Sequence, residues 1–185
     1  MACLAIPIYM QSKFPSHIHF MWHTQHAAGT PEFTCPLAAT WPRLGAIFAA
    51  ISHDRPFVLR SFVLMGNHFH GIAQSSLTEV EFEYLLLRYL APQLPISSGE
   101  ITLRKISTFR HYLLTYKYVY RNPVESGFCS KVEGYPYSTL QRLFKNDESF
   151  PVLDNLNLLQ NPARVIGWLN NQNPYFYQTT AFSNS

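Results

Sequence analysis

His68 and His70 place two imidazoles one residue apart. On a β-strand, residues i and i+2 leave the same face. The two rings would therefore stand side by side while Phe69 turns the other way. Two neutral imidazoles on one face can hold one divalent metal ion. The run before them, Phe57 to Met65, is apolar and β-branched, and Gly66-Asn67 suits a two-residue turn. The sequence predicts a hairpin over about 57–74, with His68 opening its second strand. An isolated His-x-His is more often an ordinary pair of strand histidines. A nucleophile and a third ligand elsewhere in the chain would make it a site.

Both are supplied by a second stretch, Thr108 to Pro123, which reads as a helix from about Ser107 to Asn122 stopped by Pro123. It carries four tyrosines, Tyr112, Tyr116, Tyr118 and Tyr120. At about 100° per residue, Phe109, Tyr112, Leu113, Tyr116 and Tyr120 form one packing stripe. Tyr118 falls on the opposite side, and Asn122 is its neighbour one turn on. Taken singly, Tyr118 is an exposed tyrosine and Asn122 a helix stop before proline. Together with the histidines they make a set of two imidazoles, one amide and one phenol.

The elements that must position this set follow from periodicity. Ser16 to Gln25 alternates as a strand, with Ile18, Phe20 and Trp22 on one face and His17, His19, Met21 and His23 on the other. Leu44, Ile47, Phe48 and Ile51 recur at helical spacing, and Asp54-Arg55-Pro56 ends that helix. After the hairpin, Ser76-Leu77-Thr78-Glu79 reads as a capping box opening a helix to about Tyr89. A strand from about Glu100 to Ile106 precedes the tyrosine helix. The order β-α-β-β-α-β with a further helix predicts an α+β fold. Its sheet is ferredoxin-like and antiparallel, a split β-α-β arrangement with helices on one face. The Pro- and Asn-rich tail holds one predicted helix near Ala163 to Leu169, so a core of about 16–145 carries a C-terminal helical or irregular extension of about 146–185. No internal repeat or linker divides the 185 residues, which suits a single domain.

Composition narrows the function classes. Hydrophobic residues are 47% and charged residues 14%, which excludes a disordered chain. Cys3, Cys35 and Cys129 are scattered and odd in number, which suits a reducing, cytoplasmic setting without disulfides. No stretch approaches the roughly 20 apolar residues of a membrane span, and no basic leader marks a signal peptide. Net charge is +3, but residues 101–145 hold eight basic side chains against two acidic ones. The eight include Arg104, Lys105, Arg110, Lys117 and Arg121. A cationic segment is usually a solvated face, and it is also where a polyanion can lie. An aromatic content of 15% is first of all an aromatic core, and aromatics also stack on unpaired bases.

Three separated motifs, VLMGNHFH (63–70), YVYRNPVESGF (118–128) and EGYPYST (133–139), resemble the LMPNHVH, YIHLNPVRAGL and DYPWSSY patterns of the single-tyrosine HUH transposases. The likeness is strongest to the REP-associated tyrosine transposases of bacteria. HDRPF (53–57) and the strand HIHFMWHT (17–24) fit the same pattern in the same order. Gly66 departs from it, standing where proline usually precedes Asn-His, which should loosen the turn. Tyr120 and Arg121 stand where His-Leu is common. Thr24-Gln25-His26 stands where relatives carry Lys or Arg, so a DNA contact there is missing or moved to Arg104, Lys105 or Arg110.

The resemblance implies that His68 and His70 bind the metal, Mg²⁺ or Mn²⁺, that Asn122 completes its coordination and that Tyr118 is the nucleophile. Lys117 and Arg121 would help the phenol lose its proton, and the cationic side chains would hold DNA. The implied reaction is cleavage and rejoining of single-stranded hairpin DNA through a 5′-phosphotyrosine. The enzyme would be a nucleoid-associated monomer or homodimer, with tyrosine in cis or in trans. Two other readings compete: a descendant that binds DNA hairpins without cutting, and a metal-dependent hydrolase unrelated to DNA. The second leaves Tyr118 and the cationic segment unexplained. His17, His19 and His23 read first as structural histidines, and His111 lies near the Tyr118 side of its helix.

Overall fold

The computed structural model describes residues 15–23, 36–94, 100–145, 150–154 and 160–171. Cys3, Cys35, the apolar stretch 1–10, Thr24-Gln25-His26 and the end of the tail lie outside them.

Strands β1 (His17–His23), β2 (Phe57–Leu64), β3 (His68–Ser75) and β4 (Ile101–Ile106) form one sheet in the order β2-β3-β1-β4. Every neighbouring pair is antiparallel. Helices α1 (Leu37–Asp54) and α2 (Glu79–Leu90) make the two crossovers. This is the split β-α-β sheet the sequence predicts. The hairpin turn is Gly66-Asn67, closed by the Met65 N–H donating to the His68 carbonyl at 2.8 Å. Arg55, held extended before Pro56, ends α1 as expected.

Three local expectations are corrected. The capping box that opens α2 is Thr78 with Glu81, not the Ser76 set: the Glu81 N–H donates to Thr78 Oγ1 and the Thr78 N–H to Glu81 Oε2. The tyrosine helix, α3 (Phe109–Glu125), runs through Pro123. Pro123 lies in the last turn, where its missing N–H removes one backbone bond, and Gly127 is the real stop. Gly127 has φ +76°. Its N–H donates to the Val124 carbonyl at 3.1 Å and that of Phe128 to Pro123 at 2.9 Å, closing a Schellman motif. Phe109 is part-exposed at the start of α3 rather than buried with the stripe, though its ring stacks on Tyr112.

The helices also cover both faces of the sheet, not one. Ile18, Phe20, Trp22, Leu59, Phe62 and Phe69 form one core with Leu44, Phe48 and Ile51 of α1 and Phe82 and Leu86 of α2. On the other face Val63, Met65, Ile72 and Ile106 meet Tyr112, Tyr116, Val119 and Tyr120 of α3. Helices α4 (Thr139–Lys145) and α5 (Pro162–Asn170) complete that second core through Leu140, Leu143, Val165 and Trp168. The alternation of the strands allows this, because β2 and β3 turn Phe62 and Phe69 to one core and Val63 and Ile72 to the other.

EGYPYST is the brace behind the hairpin. The Tyr135 hydroxyl donates to the Leu64 carbonyl at 2.8 Å. The Leu64 N–H donates to the Tyr137 carbonyl at 3.0 Å. Thr139 Oγ1 accepts from the Phe62 N–H at 2.8 Å and donates to the Phe62 carbonyl at 3.1 Å. Backbone groups at the end of β2 are thereby satisfied next to the turn that presents the histidines.

Candidate functional site

The site lies on the α3 face of the sheet. Alternation puts His19, Met21 and His23 of β1 on that face. His23 pairs with His68 in register and Met21 with His70. The His23 and His68 rings stack at 5.4 Å between centroids, those of His19 and His70 at 5.6 Å. The His68 and His70 rings meet edge to face at 4.9 Å. Tyr118 stands edge-on to His70 at 5.3 Å and to His19 at 6.0 Å. It is 43% exposed, whereas Tyr112, Tyr116 and Tyr120 are buried. One turn on, Asn122 Oδ1 lies 3.2 Å from His68 Nε2, and its Nδ2–H donates to His70 Nε2 at 3.3 Å. The histidine pair, the amide and the phenol of one chain thus meet in one place.

Asn67, missed as a functional residue in the sequence, orients His68. Its Oδ1 accepts from the His68 Nδ1–H at 2.7 Å and its Nδ2–H donates to His23 Nε2 at 3.3 Å. Its position in the turn immediately before the pair was the available signal. A neutral imidazole donates from one nitrogen only. With Nδ1–H given to Asn67, His68 Nε2 turns its lone pair toward Asn122 Oδ1. Two lone pairs facing each other repel, and a cation between them would be attracted by both.

The donor set fits a divalent ion on that ground. Two ligands at right angles and about 2.1 Å from one ion lie about 3 Å apart, close to the spacing seen. Burial, the nearby His68, and His19 and His23 hold His70 down to about 3. Burial also lowers His68, partly offset by the Asn122 contact. Both rings are therefore unprotonated near neutral pH, as ligation requires. Imidazole and amide donors suit Mn²⁺ better than Mg²⁺. His70 Nδ1 is buried with no hydrogen-bond partner.

His19 and His17 are each lowered to about 4, chiefly by burial. His19 borders Tyr118 and His70, whereas the His17 ring packs on Tyr112 at 4.7 Å. His111 lies on the exposed face of α3, on the Tyr118 side.

The predicted DNA-binding cations do not form one group. Lys117 is 5% exposed, with Nζ 5.6 Å over the Trp168 ring. Arg121 is 9% exposed; its Nε–H donates to Glu125 at 3.0 Å and its NH1 to the Leu169 and Asn170 carbonyls at 3.2 and 3.1 Å. Both cations thus meet α5, Arg121 by capping its C-terminal carbonyls and Lys117 by lying over its Trp168 ring. Lys105 pairs with Ile18 in register, so it points to the sheet face opposite the histidines. Arg104 pairs with His19 and points to the site face. Arg110 is exposed on the first turn of α3.

The antiparallel β2-β3-β1-β4 sheet with helices on both faces is an α+β fold shared with a solved structure. That structure is a REP-associated tyrosine transposase bound to a REP hairpin. It is similar over 70% of this chain and 79% of its own, at a TM-score of 0.54 and 18% identity, a likeness of fold. No protein-family model matches the chain, and no curated protein matches it. Among the described residues, no helix is long and apolar enough to cross a membrane.

Proposed function

We propose that the protein is a metal-dependent transposase-type enzyme that cuts and rejoins single-stranded hairpin DNA through Tyr118. One observation carries the reading: an exposed phenol stands edge-on to His70 at 5.3 Å, beside a converging imidazole–imidazole–amide set. A hydrolytic metal site unrelated to DNA leaves that tyrosine unexplained. The fold likeness to a hairpin-bound tyrosine transposase supports the substrate class.

His68, His70 and Asn122 would hold the ion, and a divalent ion there would neutralise a phosphate oxygen and orient the phosphorus. The residues do the rest. Asn67 fixes the His68 tautomer. The helix α3 holds the Tyr118 oxygen over the phosphate while its buried stripe keeps the helix from turning. The Tyr118 oxygen bonds to phosphorus, the bond from phosphorus to the 3′ oxygen breaks, and the phenolic proton ends on the departing 3′-hydroxyl. The product is a 5′-phosphotyrosine that keeps the energy of the broken diester. A second 3′-hydroxyl reverses the exchange without ATP, which is strand transfer. The histidine pair, the amide and the phenol converge within one chain, which supports a tyrosine that acts in cis.

The test incubates the protein with labelled hairpin oligonucleotides and Mn²⁺ or Mg²⁺ and looks for a denaturant-stable adduct. Tyr118→Phe should abolish the adduct and Tyr116→Phe should not. An adduct that survives Tyr118→Phe would sink the assignment.

A further inference from the structure

Beyond Tyr118, on the side away from the histidine pair, the sheet and α3 enclose a cavity of about 350 Å³. Its walls include His19, Met21, Thr102, Arg104, His111 and Leu114. Tyr118 belongs to both places, lining the cavity and standing perpendicular to the His70 ring at 5.3 Å. Neither His68, His70 nor Asn122 borders it. No carboxylate is among its lining residues, and Arg104 makes no side-chain hydrogen bond or ion pair among the described residues. Arg104 and His111 both line it, which places two basic side chains around one space.

We infer that this cavity takes one nucleotide of single-stranded DNA, the neighbour of the phosphate held at the histidine pair, with its base against Met21 and Leu114 and its phosphate on Arg104. The inference rests on the proposed reaction for its orientation. The chemistry of the walls argues for it independently. A nucleotide is a flat base joined to an anion, and the walls offer an apolar floor and a guanidinium that has no partner among the described residues. Arg is suited to bidentate phosphate contact. The cavity volume admits a base with its sugar and is too small for duplex. Arg104 and Thr102 sit on β4, one of the two edge strands among the described residues, so the cavity lies where a DNA strand can pass along α3. A phosphate at the histidine pair and a base in the cavity would place Tyr118 between consecutive groups of one strand, which fixes the register of cleavage.

The experiment uses the Tyr118→Phe protein in EDTA, so that neither metal nor strand cleavage contributes, and a fluorescein-labelled oligothymidylate as the probe. Arg104→Ala should weaken binding about tenfold and lower the salt slope by about one. Thr102→Trp should fill the cavity and weaken binding about tenfold with the salt slope kept. Lys105→Ala, on the other sheet face, should bind as the parent does. In ¹³C-methyl spectra the Met21 signal should shift on adding the oligothymidylate while that of buried Met65 stays. Absence of binding, parent-like binding by Thr102→Trp, or an unmoved Met21 signal at saturation overturns the pocket. A missing covalent adduct in the separate hairpin assay, with these results intact, sinks the strand-transfer reading and leaves the pocket standing.

Discussion

Asn122 Oδ1 lies 3.2 Å from His68 Nε2, although 54 positions separate the two residues. The contact joins the hairpin to the tyrosine helix, and it places an oxygen and an imidazole lone pair where a cation belongs.

The first prediction concerns that ion. His68→Ala and Asn122→Ala should each weaken Mn²⁺ binding, read by loss of the free-ion electron paramagnetic signal. Asn67→Ala touches no ligand position, yet it removes the acceptor that holds His68 Nδ1–H at 2.7 Å. Outer partners of metal-bound histidines are typically worth 10- to 100-fold in affinity. A loss of about that size is expected, and an Asn67→Ala protein with parent affinity would refute the orienting role.

The second prediction is acid sensitivity of the fold. His17 and His19 are held at about 4 and His70 at about 3 in the folded chain, against an ordinary value of 6.5, chiefly by burial. As pH falls below 6.5, the unfolded chain binds protons that the folded chain refuses until near pH 4. Stability is then fully present above about pH 6.5 and lost as pH falls toward 4. The urea midpoint of the metal-free protein should fall steadily across that window. His17→Gln should flatten part of the slope, by on the order of 3 kcal/mol between the two ends. A midpoint independent of pH there would contradict it.

Much of this arrangement is legible in the sequence because it rests on short-range periodicity. The i, i+2 histidines, the two-residue turn and the off-stripe Tyr118 with Asn122 one turn on all follow from local geometry. What escaped depends on distant packing. Lys117 and Arg121 read as free cations, since only the arrival of α5 some forty-eight positions later gives Arg121 its carbonyl partners. Lys105 read as part of a basic cluster because charge was summed along the chain, while strand alternation sends it to the far face. Pro123 read as a stop because its effect is local; Gly127, with φ +76°, ends the helix instead.

The third prediction separates the two arginines. Arg121→Ala leaves three acceptors without their donor and removes the cap of α5. Bonds from a charged donor are worth about 1.5–3 kcal/mol, so a loss of about that much stability is expected in urea unfolding. The salt slope of oligothymidylate binding should stay unchanged. Arg104→Ala should behave oppositely, keeping the urea midpoint and losing DNA affinity. If Arg121→Ala lowers the salt slope without lowering stability, its assignment to α5 is wrong.

The fourth prediction contrasts two glycines of the hairpin. A Cβ on Gly66 would meet no atom within 4 Å, and its φ is not left-handed. Gly66→Ala should therefore raise stability by about 0.4–1 kcal/mol, through a less free unfolded chain. A Cβ on Gly71 would lie 2.3 Å from Cζ of Phe20. The Phe20 ring is fully buried and packed on Phe48, Phe62, Phe69 and Phe82, so it has nowhere to retreat. Overpacking of this kind costs about 1–3 kcal/mol. Gly71 also follows His70 directly, so a strand displaced there moves a ligand, and Mn²⁺ affinity should drop with stability in Gly71→Ala. Adding Phe20→Leu removes the clashing ring atoms. The double variant should then be more stable than the sum of the two single losses, a coupling of about 0.5–3 kcal/mol in a double-mutant cycle. Strict additivity would show that a clash with Phe20 is not the cause of the Gly71→Ala loss.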